Sequence, residues 1–369
     1  MKLRRPYILT SFFFATLFTG ASCQDLQYYQ TIEASDPNIR IIGRTQLNEK
    51  GEIEFDWPGV HILFNFTGIR CAVRMDDSGK NFYDVFIDEE EPVVHSVYSD
   101  TTLVLAEHLA NGNHSVKIVK RTEGNLGMAI LKALLIDAEG GMMPPPAPSG
   151  RKIEFIGNSI TCGYGAESDT KTEDFRPETE NAYKSYASVL ARSFSADYHM
   201  ISHSGQGVVR NYGYEDPVSP YTMPDRYKQT MDTRKDPLWE FSSWIPDMLV
   251  INLGTNDFST LPHPNETVFN KKYTDLIRFV RAVYDSVPVF CLVGPMIDEP
   301  CYSYVKNMVE GNRNFLNDKN VYFIGIPTYL MGESDWGAWH PNYAGHIKMA
   351  EHIVPVISSV MGWDYGEIK

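Results

Sequence analysis

Short runs in which apolar and polar residues alternate recur along the first part of the chain. Turn residues separate these runs, and the clearest of them are residues 51–55, 60–66, 83–88 and 114–119. Successive side chains of a β-strand point to opposite faces, so a period of two is typical of strands that bury one face. Residues 23–139 are therefore predicted to form a β-sandwich, with a jelly roll as the expected topology.

A different pattern begins at residue 151. Continuous apolar runs at 153–156, 249–253, 287–293 and 321–325 alternate with stretches of helical period such as 272–284 and 343–358. This alternation is typical of a central parallel sheet covered by helices, and residues 151–369 are predicted to form such an α/β/α domain. The Pro-rich segment 140–150 between the two patterns is predicted to be a stiff, extended linker.

The first 22 residues have the pattern of a signal peptide. Basic residues at the start precede an apolar run that is too short to span a bilayer, and small residues follow directly before Cys23. A cysteine in this place suggests a lipoprotein signal, with a lipid anchor at Cys23 as the one expected link to a membrane. Gly20 is unusual at its position in that signal, so ordinary secretion is the alternative. Either way the protein is predicted to be extracytoplasmic, as a periplasmic or outer-membrane lipoprotein or as a secreted protein.

The formal net charge of −14 narrows the range of partners. Removal of the leader would take away three basic residues and no acidic ones, which makes the mature protein more acidic still. A surface of this charge repels nucleic acid and suits an enzyme that acts on neutral molecules.

The cysteines indicate no metal site. Beyond Cys23 their spacing fits no zinc pattern, and no other group of ligand residues has suitable spacing, so neither a metal nor another cofactor is expected. Cys291 and Cys301 are close enough in sequence to pair in an oxidising compartment, while Cys162 has the character of a small buried residue.

Four short segments carry the candidate chemistry. They are residues 157–165, 201–207, 249–257 and 335–342, each at the end of a predicted strand or just before the last predicted helix. In this order they resemble the block pattern of SGNH (GDSL-type) hydrolases. The resemblance implies Ser159 as the nucleophile and His340 as its general base, because a serine hydroxyl attacks an ester only when a base removes its proton. The backbone N–H groups of Ser159 and Gly205 and the side-chain amide of Asn256 would form the oxyanion hole.

The resemblance becomes narrower when further residues are included. The run 157–165, the residues 181–183 with 185–186, and the run 339–341 are similar to carbohydrate esterase family 2. Members of this family join an N-terminal β-sandwich to an SGNH domain. The resemblance implies a substrate that is an acetylated polysaccharide or oligosaccharide such as xylan or glucomannan, with a leaning toward the 6-position of hexopyranosides.

The chain departs from the SGNH pattern at two positions. Asn158 replaces the usual aspartate before the nucleophile, which puts the local hydrogen bonds in question. More important, Gly337 and Ala338 stand where an aspartate usually orients the histidine. Some members of family 2 use a Ser–His dyad in which a backbone carbonyl steers the imidazole, and we favour that arrangement here. Asp335 is the alternative third member of a triad.

Three residues are candidates for contacts with the sugar. Trp339 is a candidate because it stands beside the predicted base and sugars pack against aromatic faces. Arg210 and Tyr212 are candidates because they come just after the glycine block, where a loop could reach the sugar hydroxyls. Two other functions stay open at this stage. One is a lipase or thioesterase of the same fold, and the other is a catalytically silent glycan-binding protein.

Overall fold

A computed structural model describes residues 25–88 and 90–369 of the chain. The predicted signal peptide and the lipidation site Cys23 lie outside the described residues. None of the helices in the described part is both long and apolar enough to cross a bilayer.

Twelve short strands form the first part of the described chain. In order they are β1 (Tyr29–Glu33), β2 (Arg40–Ile42), β3 (Gln46–Leu47), β4 (Ile53–Phe55), β5 (His61–Gly68), β6 (Cys71–Asp77), β7 (Asn81–Ile87), β8 (Val93–Val97), β9 (Thr101–Ala106), β10 (Gly112–Lys120), β11 (Ala129–Asp137) and β12 (Gly141–Met143).

These strands form two antiparallel sheets. One has the order β3-β4-β11-β6-β9, with β1 also paired to β11, and the other has the order β12-β5-β10-β7-β8, with β2 also paired to β5. Alternate residues of both sheets, such as Phe64, Val73, Val116 and Leu134, enter one shared apolar core. The two-layer prediction from alternating residues agrees with this arrangement.

The predicted linker starts too early. Residues 141–143 form β12, which pairs with β5 in the second sheet, and irregular chain begins only at Pro144. The reason is that β12 is an edge strand held by backbone hydrogen bonds, which its side chains do not reveal. Proline cannot donate such a bond, so the run of prolines ends the pairing.

The second part contains a five-stranded sheet whose strands are all parallel. Its strands in chain order are β13 (Lys152–Gly157), β14 (Asp197–Ser202), β15 (Met248–Asn252), β16 (Val289–Val293) and β17 (Val321–Gly325), and their order in the sheet is β14-β13-β15-β16-β17. The helices are α1 (Ser159–Cys162), α2 (Tyr186–Ser193), α3 (Met223–Arg226), α4 (Glu266–Tyr284), α5 (Cys301–Phe315) and α6 (Tyr343–Met361). A two-residue ribbon, β18 (Trp336–Gly337) with β19 (His340–Pro341), precedes α6.

Helices cover both faces of the parallel sheet. Alternate strand residues such as Phe155 and Val250 pack with α2 and α6, whereas neighbours such as Ile156 and Ile251 pack with α4 and α5. Because both faces are covered, the strands read as continuous apolar runs. This confirms the prediction of a parallel sheet in the second domain.

The two domains share a buried polar interface. Arg44 of the sandwich bonds Glu154 of β13 at 2.9 Å, and both side chains are fully buried. The Trp57 indole donates to the carbonyl of Thr230 at 2.9 Å. Such contacts fix the sandwich against the parallel sheet, close to the edge where the candidate site lies.

The cysteines of the described residues are all free and buried. The suggested Cys291–Cys301 disulfide is therefore not formed. Cys291 lies on the interior strand β16 and Cys301 begins α5, and both thiols belong to the apolar core rather than to a bridge.

Candidate active site

The candidate residues come together at the carboxyl edge of the parallel sheet. β13 lies between β14 and β15, so the segments that follow these three strands are neighbours. They carry Ser159, Gly205 and Asn256. A ligand site at the carboxyl ends of parallel strands is the usual place in open α/β sheets.

Ser159 begins the single-turn helix α1 directly after β13. The Asn158 side chain accepts a hydrogen bond from the Ile160 N–H at 3.1 Å and so caps this helix. An amide oxygen can do this as well as a carboxylate can, whereas Asn158 Nδ2 is buried and finds no acceptor among the described residues. Gly163, with φ of 76°, ends the turn. Ser159 is thus held at a fixed point beyond the strand and is 7% exposed.

His340 lies within hydrogen-bond distance of the candidate nucleophile. Its Nε2 is 2.8 Å from Ser159 Oγ, and its Nδ1 is 2.9 Å from the carbonyl oxygen of Ala338. Because a carbonyl oxygen only accepts hydrogen bonds, Nδ1 must carry the proton. Nε2 is then unprotonated and accepts the hydroxyl proton of Ser159. Burial lowers the pKa of His340 to about 4, since it disfavours the charged imidazolium, and the ring is neutral at pH 7.

The backbone before His340 has an uncommon conformation. Ala338 and Trp339 have φ of 47° and 66°, in the left-handed region that residues other than glycine seldom adopt. Their N–H groups donate to the carbonyls of Thr170 and Lys171 at 2.9 and 2.6 Å. The conformation costs about 1–3 kcal/mol per residue, and these two hydrogen bonds help to hold it. It presents the Ala338 carbonyl to the imidazole.

Asp335 does not contact the imidazole. Its carboxylate accepts a hydrogen bond from the Gly332 N–H and forms an ion pair with Lys348. The alternative triad with Asp335 as its acid is therefore wrong for this structure. Asp335 ends the 3-10 helix Glu333–Asp335, and its side chain bonds the residue that caps this helix, Gly332; this local use of the carboxylate turns it away from His340.

Tyr164 was not identified from the sequence. Its ring lies over the imidazole of His340, with 4.2 Å between ring centroids and 36° between ring planes. On its other side it stacks on Phe175 at 4.2 Å and 23°. The tyrosine follows the nucleophile by five residues, so only the proximity of Tyr164 to Ser159 in the sequence could have suggested a role.

The three predicted oxyanion-hole donors follow neighbouring strands, and the hydrogen bonds of each can be stated. Within the described residues, neither the Ser159 N–H nor the Gly205 N–H donates a hydrogen bond. Asn256 Nδ2 donates to the Gln206 carbonyl at 2.9 Å. An amide nitrogen has two N–H groups, so this bond orients the side chain and leaves the second N–H for a ligand.

Asp257 holds the loop that follows Gly205. Its buried carboxylate accepts three backbone hydrogen bonds, from Val208, Val209 and Arg210, at 2.6–2.9 Å. Burial nevertheless raises the pKa of Asp257 to about 6, because the cost of placing a charge in the interior exceeds the gain from these bonds. Asp257 directly follows Asn256, which was the only sign of this role in the sequence.

Arg210 does not face a substrate. It is fully buried, and its guanidinium donates to the carbonyls of Tyr214, Glu215, Thr260 and Pro262. Its prediction as a sugar-binding residue is therefore wrong. All of these partners are backbone oxygens from two loops, and this side chain joins the loops.

Tyr212 and Trp339 are exposed. Their exposed fractions are 70% and 57%, and the Tyr212 N–H donates to the Gly205 carbonyl at 2.8 Å. Tyr212 is thus tied to the oxyanion loop and Trp339 precedes the base. The roles of Ser159, His340, Gly205, Asn256, Tyr212 and Trp339 stay predictions that this geometry supports.

Comparison with known proteins identifies both parts of the chain. Residues 41–146 match the family model described as carbohydrate esterase 2 N-terminal, and residues 155–347 match that of the GDSL-like lipase/acylhydrolase family. The chain is 38% identical over 341 residues to the cellulase/esterase CelE of Acetivibrio thermocellus, which covers 90% of this chain and 41% of that protein. The chain thus spans about two fifths of the length of CelE. It is 29% identical to an acetylxylan esterase/glucomannan deacetylase of Cellvibrio japonicus, over 98% of this chain and all of that protein.

Solved structures have the same fold. A family two carbohydrate esterase from Clostridium thermocellum, solved in complex with cellohexaose, superposes with a TM-score of 0.82 at 37% identity over 88% of this chain and 99% of its own. A family two carbohydrate esterase from Cellvibrio japonicus gives a TM-score of 0.83 at 28% identity over 91% of this chain and 98% of its own.

Proposed function

Since this chain belongs to carbohydrate esterase family 2, we propose that it is a serine esterase that removes O-acetyl groups from polysaccharides or oligosaccharides. The observation that carries the proposal is the continuous hydrogen-bond path from Ser159 Oγ through the imidazole of His340 to the Ala338 carbonyl. This path supplies an activated nucleophile without an orienting acid.

The reaction proceeds through an acyl-enzyme. Ser159 Oγ attacks the acetyl carbonyl carbon while its proton passes to Nε2 of His340. The tetrahedral intermediate collapses, its bond to the sugar oxygen breaks, and the imidazolium returns the proton to that oxygen. A water molecule then attacks the carbonyl carbon of the acetyl-serine ester and gives its proton to His340. The bond to Ser159 Oγ breaks, the imidazolium returns the proton to that oxygen, and acetate leaves.

The Ala338 carbonyl takes the place of an aspartate in this cycle. It bonds the Nδ1 proton and so selects the tautomer with Nε2 free to act as base. As a neutral acceptor it stabilises the imidazolium less than a carboxylate does. The low pKa of His340 agrees with this environment.

Three donors are proposed to stabilise the oxyanion. The N–H groups of Ser159 and Gly205 and the second N–H of Asn256 would bond the negatively charged oxygen of the tetrahedral intermediate. Removal of one such donor typically costs about 3–4 kcal/mol of transition-state stabilisation.

The sugar substrate is proposed from the relatives and from the exposed aromatic side chains. The similar full-length protein from Cellvibrio japonicus is named an acetylxylan esterase/glucomannan deacetylase. Trp339 and Tyr212 offer aromatic faces next to the base and the oxyanion loop, on which a sugar ring can pack. Acetylated xylan and glucomannan are the proposed substrates, with the 6-position of hexoses as the expected preference.

The N-terminal domain is proposed to be a jelly roll. The protein is proposed to act outside the cytoplasm, with a lipid anchor at Cys23.

A panel of substrates tests the proposal. The wild-type enzyme should hydrolyse aryl acetate, release acetate from acetylated xylan and glucomannan, and turn over aryl octanoate far more slowly. A preference for octanoate would favour a lipase or thioesterase, and binding of the glycans without hydrolysis of any ester would favour a silent binding protein. Trp339→Ala should lower kcat/KM on the polysaccharides more than on aryl acetate, because the small ester does not reach the aromatic face.

A further inference from the structure

Two carboxylates and a thiol are buried together behind the oxyanion loop. Glu123, Cys162 and Glu180 bring one ligand atom each to within 4.8 Å of one another, and all three residues are at most 1% exposed. Glu123 belongs to the sandwich domain, just after β10, whereas Cys162 ends the helix that begins with Ser159. The proposed mechanism uses none of these groups.

Glu123 reaches across the domain interface to the oxyanion loop. Its Oε2 accepts a hydrogen bond from the Ser204 N–H at 2.6 Å, and the Cys162 thiol lies 3.7 Å from the same oxygen. The Ser204 N–H belongs to the His203–Ser204 peptide, and the next peptide carries the Gly205 N–H, so this bond holds the backbone one peptide before the predicted donor. A hydrogen bond to a charged acceptor contributes about 1.5–3 kcal/mol, roughly twice a neutral one.

The surroundings of Glu180 favour its neutral, protonated form. Its Oε2 accepts a hydrogen bond from the Glu123 N–H at 3.4 Å, while its Oε1 is buried and receives none from the described residues. An ionised oxygen without a partner would be costly here, whereas a protonated one can donate to the nearby carboxylate of Glu123. Burial, and after it the charge of Glu123, raise the pKa of Glu180 well above its usual range.

Other charges near the pair do not supply a second counter-ion. The Lys120 ammonium is buried and bonds the carbonyls of Thr122 and Glu123, and it lies near Asp56, Asp77 and Asp232 as well as Glu180. The imidazole of His203 pairs with Asp232. The guanidinium of Arg121 donates to the backbone carbonyl of Glu180 at 3.3 Å, but the carboxylates it pairs with are Asp84 and Glu167. Two carboxyl groups that share a site with one cation retain one proton between them.

We propose that Glu123 is a positioning residue of the oxyanion hole, contributed by the sandwich domain, and that Glu180 supports it by sharing one proton with it. This inference rests on the proposed esterase function. It gives the N-terminal domain a part in catalysis that is separate from any binding of sugar, because the geometry at Gly205 depends on a side chain from that domain.

Substitutions at the two positions give a distinct pattern of results. Glu123→Ala should lower kcat on aryl acetate by about 10- to 100-fold, the loss typical of a misplaced catalytic group, with KM changed less than about threefold. Glu123→Gln should recover most of the activity, since its amide oxygen can accept the Ser204 N–H. Glu180→Gln should stay within about threefold of wild type, because an amide donates to Glu123 as the protonated acid does.

A matched control separates positioning from general stability. Asp84 is equally buried in the sandwich, where it pairs with Arg121, and it accepts a hydrogen bond from Asn181 across the same interface, but it does not touch the oxyanion loop. Asp84→Asn should lower the melting temperature yet leave kcat close to wild type. Equal losses of kcat in Asp84→Asn and Glu123→Ala would overturn the inference, as would a wild-type kcat in Glu123→Ala.

Hydrogen exchange gives a readout that does not depend on esterase activity. A peptide that includes Ser204 should lose protection in Glu123→Ala and keep it in Asp84→Asn. Unchanged protection in Glu123→Ala would refute the positioning role even in an active enzyme. Wild-type protein that hydrolyses no ester would instead refute the proposed function, and the exchange result would still decide this inference.

A metal ion in the cluster is the opposing explanation. If a cation rather than a proton joined Glu123 to Glu180, purified enzyme would contain one equivalent of a divalent metal, chelation would lower kcat, and Glu180→Gln would lose most activity. Those results would overturn the shared proton. Full activity after exhaustive dialysis against EDTA, together with an active Glu180→Gln variant, supports it.

Discussion

Replacement of Asp335 by asparagine separates the dyad from the triad. Asp335 is 3% exposed, and its carboxylate contacts Lys348 and the Gly332 N–H. The imidazole of His340 contacts Ser159 and the Ala338 carbonyl instead. Asp335→Asn therefore changes the support of the loop before the base without touching the path of the proton.

The expected magnitudes follow from these contacts. Loss of a charged hydrogen bond and a partly exposed ion pair should reduce the free energy of unfolding by about 1–3 kcal/mol. For a domain of this size each kcal/mol lowers the melting temperature by roughly 2–4 °C. The effect on kcat/KM should stay below about tenfold, which corresponds to less than about 1.4 kcal/mol. An acid that orients the base would behave differently, since its amide replacement in a serine protease lowers kcat by roughly 10⁴-fold.

Two measurements on the same preparations decide between the cases. kcat/KM on aryl acetate would be measured for Asp335→Asn and His340→Ala below their melting temperatures, beside wild type. The dyad predicts a stability loss with a small activity loss for Asp335→Asn, and near-complete inactivation for His340→Ala. An activity loss in Asp335→Asn comparable to that in His340→Ala would refute the reasoning and require a triad.

Three further predictions concern the base, the oxyanion hole and the buried arginine. Because protonation removes the base and the pKa of His340 is lowered to about 4, kcat/KM should stay level as the pH falls from 8 to below 6, and an acidic limb centred near the ordinary histidine pKa of 6.5 would contradict this. Asn256→Ala should lower kcat by about 10²- to 10³-fold with a modest change in KM, and a change in KM alone would assign Asn256 to substrate binding. Arg210→Lys should destabilise the protein by about 3 kcal/mol or more, because several buried carbonyls lose their donors, while KM of the folded enzyme changes little. A raised KM at an unchanged melting temperature would restore Arg210 as a substrate contact.

Much of the fold could be predicted because the two periods of apolar residues differ. The run 321–325 coincides with β17, and the stretches 272–284 and 343–358 lie within α4 and α6. The boundaries were less certain. α4 begins at Glu266, six residues before the predicted start, because Asn265 caps its first turn and Phe269 of that turn already packs in the core. A local hydrogen bond and burial together determine that end.

The candidate site residues at strand ends could be named because their segments resemble the SGNH block pattern, and their roles stay predictions. Parallel strands bring their carboxyl ends together, so Ser159, Gly205 and Asn256 could be placed near one another from the chain alone. The role of the Ala338 carbonyl could be expected only from a resemblance, since every residue has a carbonyl. Its orientation depends on backbone bonds to Thr170 and Lys171, which no side-chain pattern encodes.

Contacts between distant segments could not be predicted. Arg210 follows the glycine block and is predicted from that place to contact the sugar, yet its partners at Thr260 and Pro262 lie about 50 residues away. Glu123 is 81 residues from Ser204 and belongs to the other domain. Whether such a charged side chain points to solvent or into an interface depends on how the domains pack. The residues near Glu123 in the sequence do not indicate that packing.

The central claim is that Ser159 is the nucleophile of an enzyme that deacetylates sugars. The most direct measurement is acetate release from acetylated glucomannan by wild type and by Ser159→Ala, each shown by a thermal melt to be folded. Wild type should release acetate with multiple turnovers, and Ser159→Ala should fall to the low level left by the oxyanion hole and substrate binding alone. Acetate release by Ser159→Ala at a rate near that of wild type, or none by wild type while the polysaccharide is bound, would contradict the account.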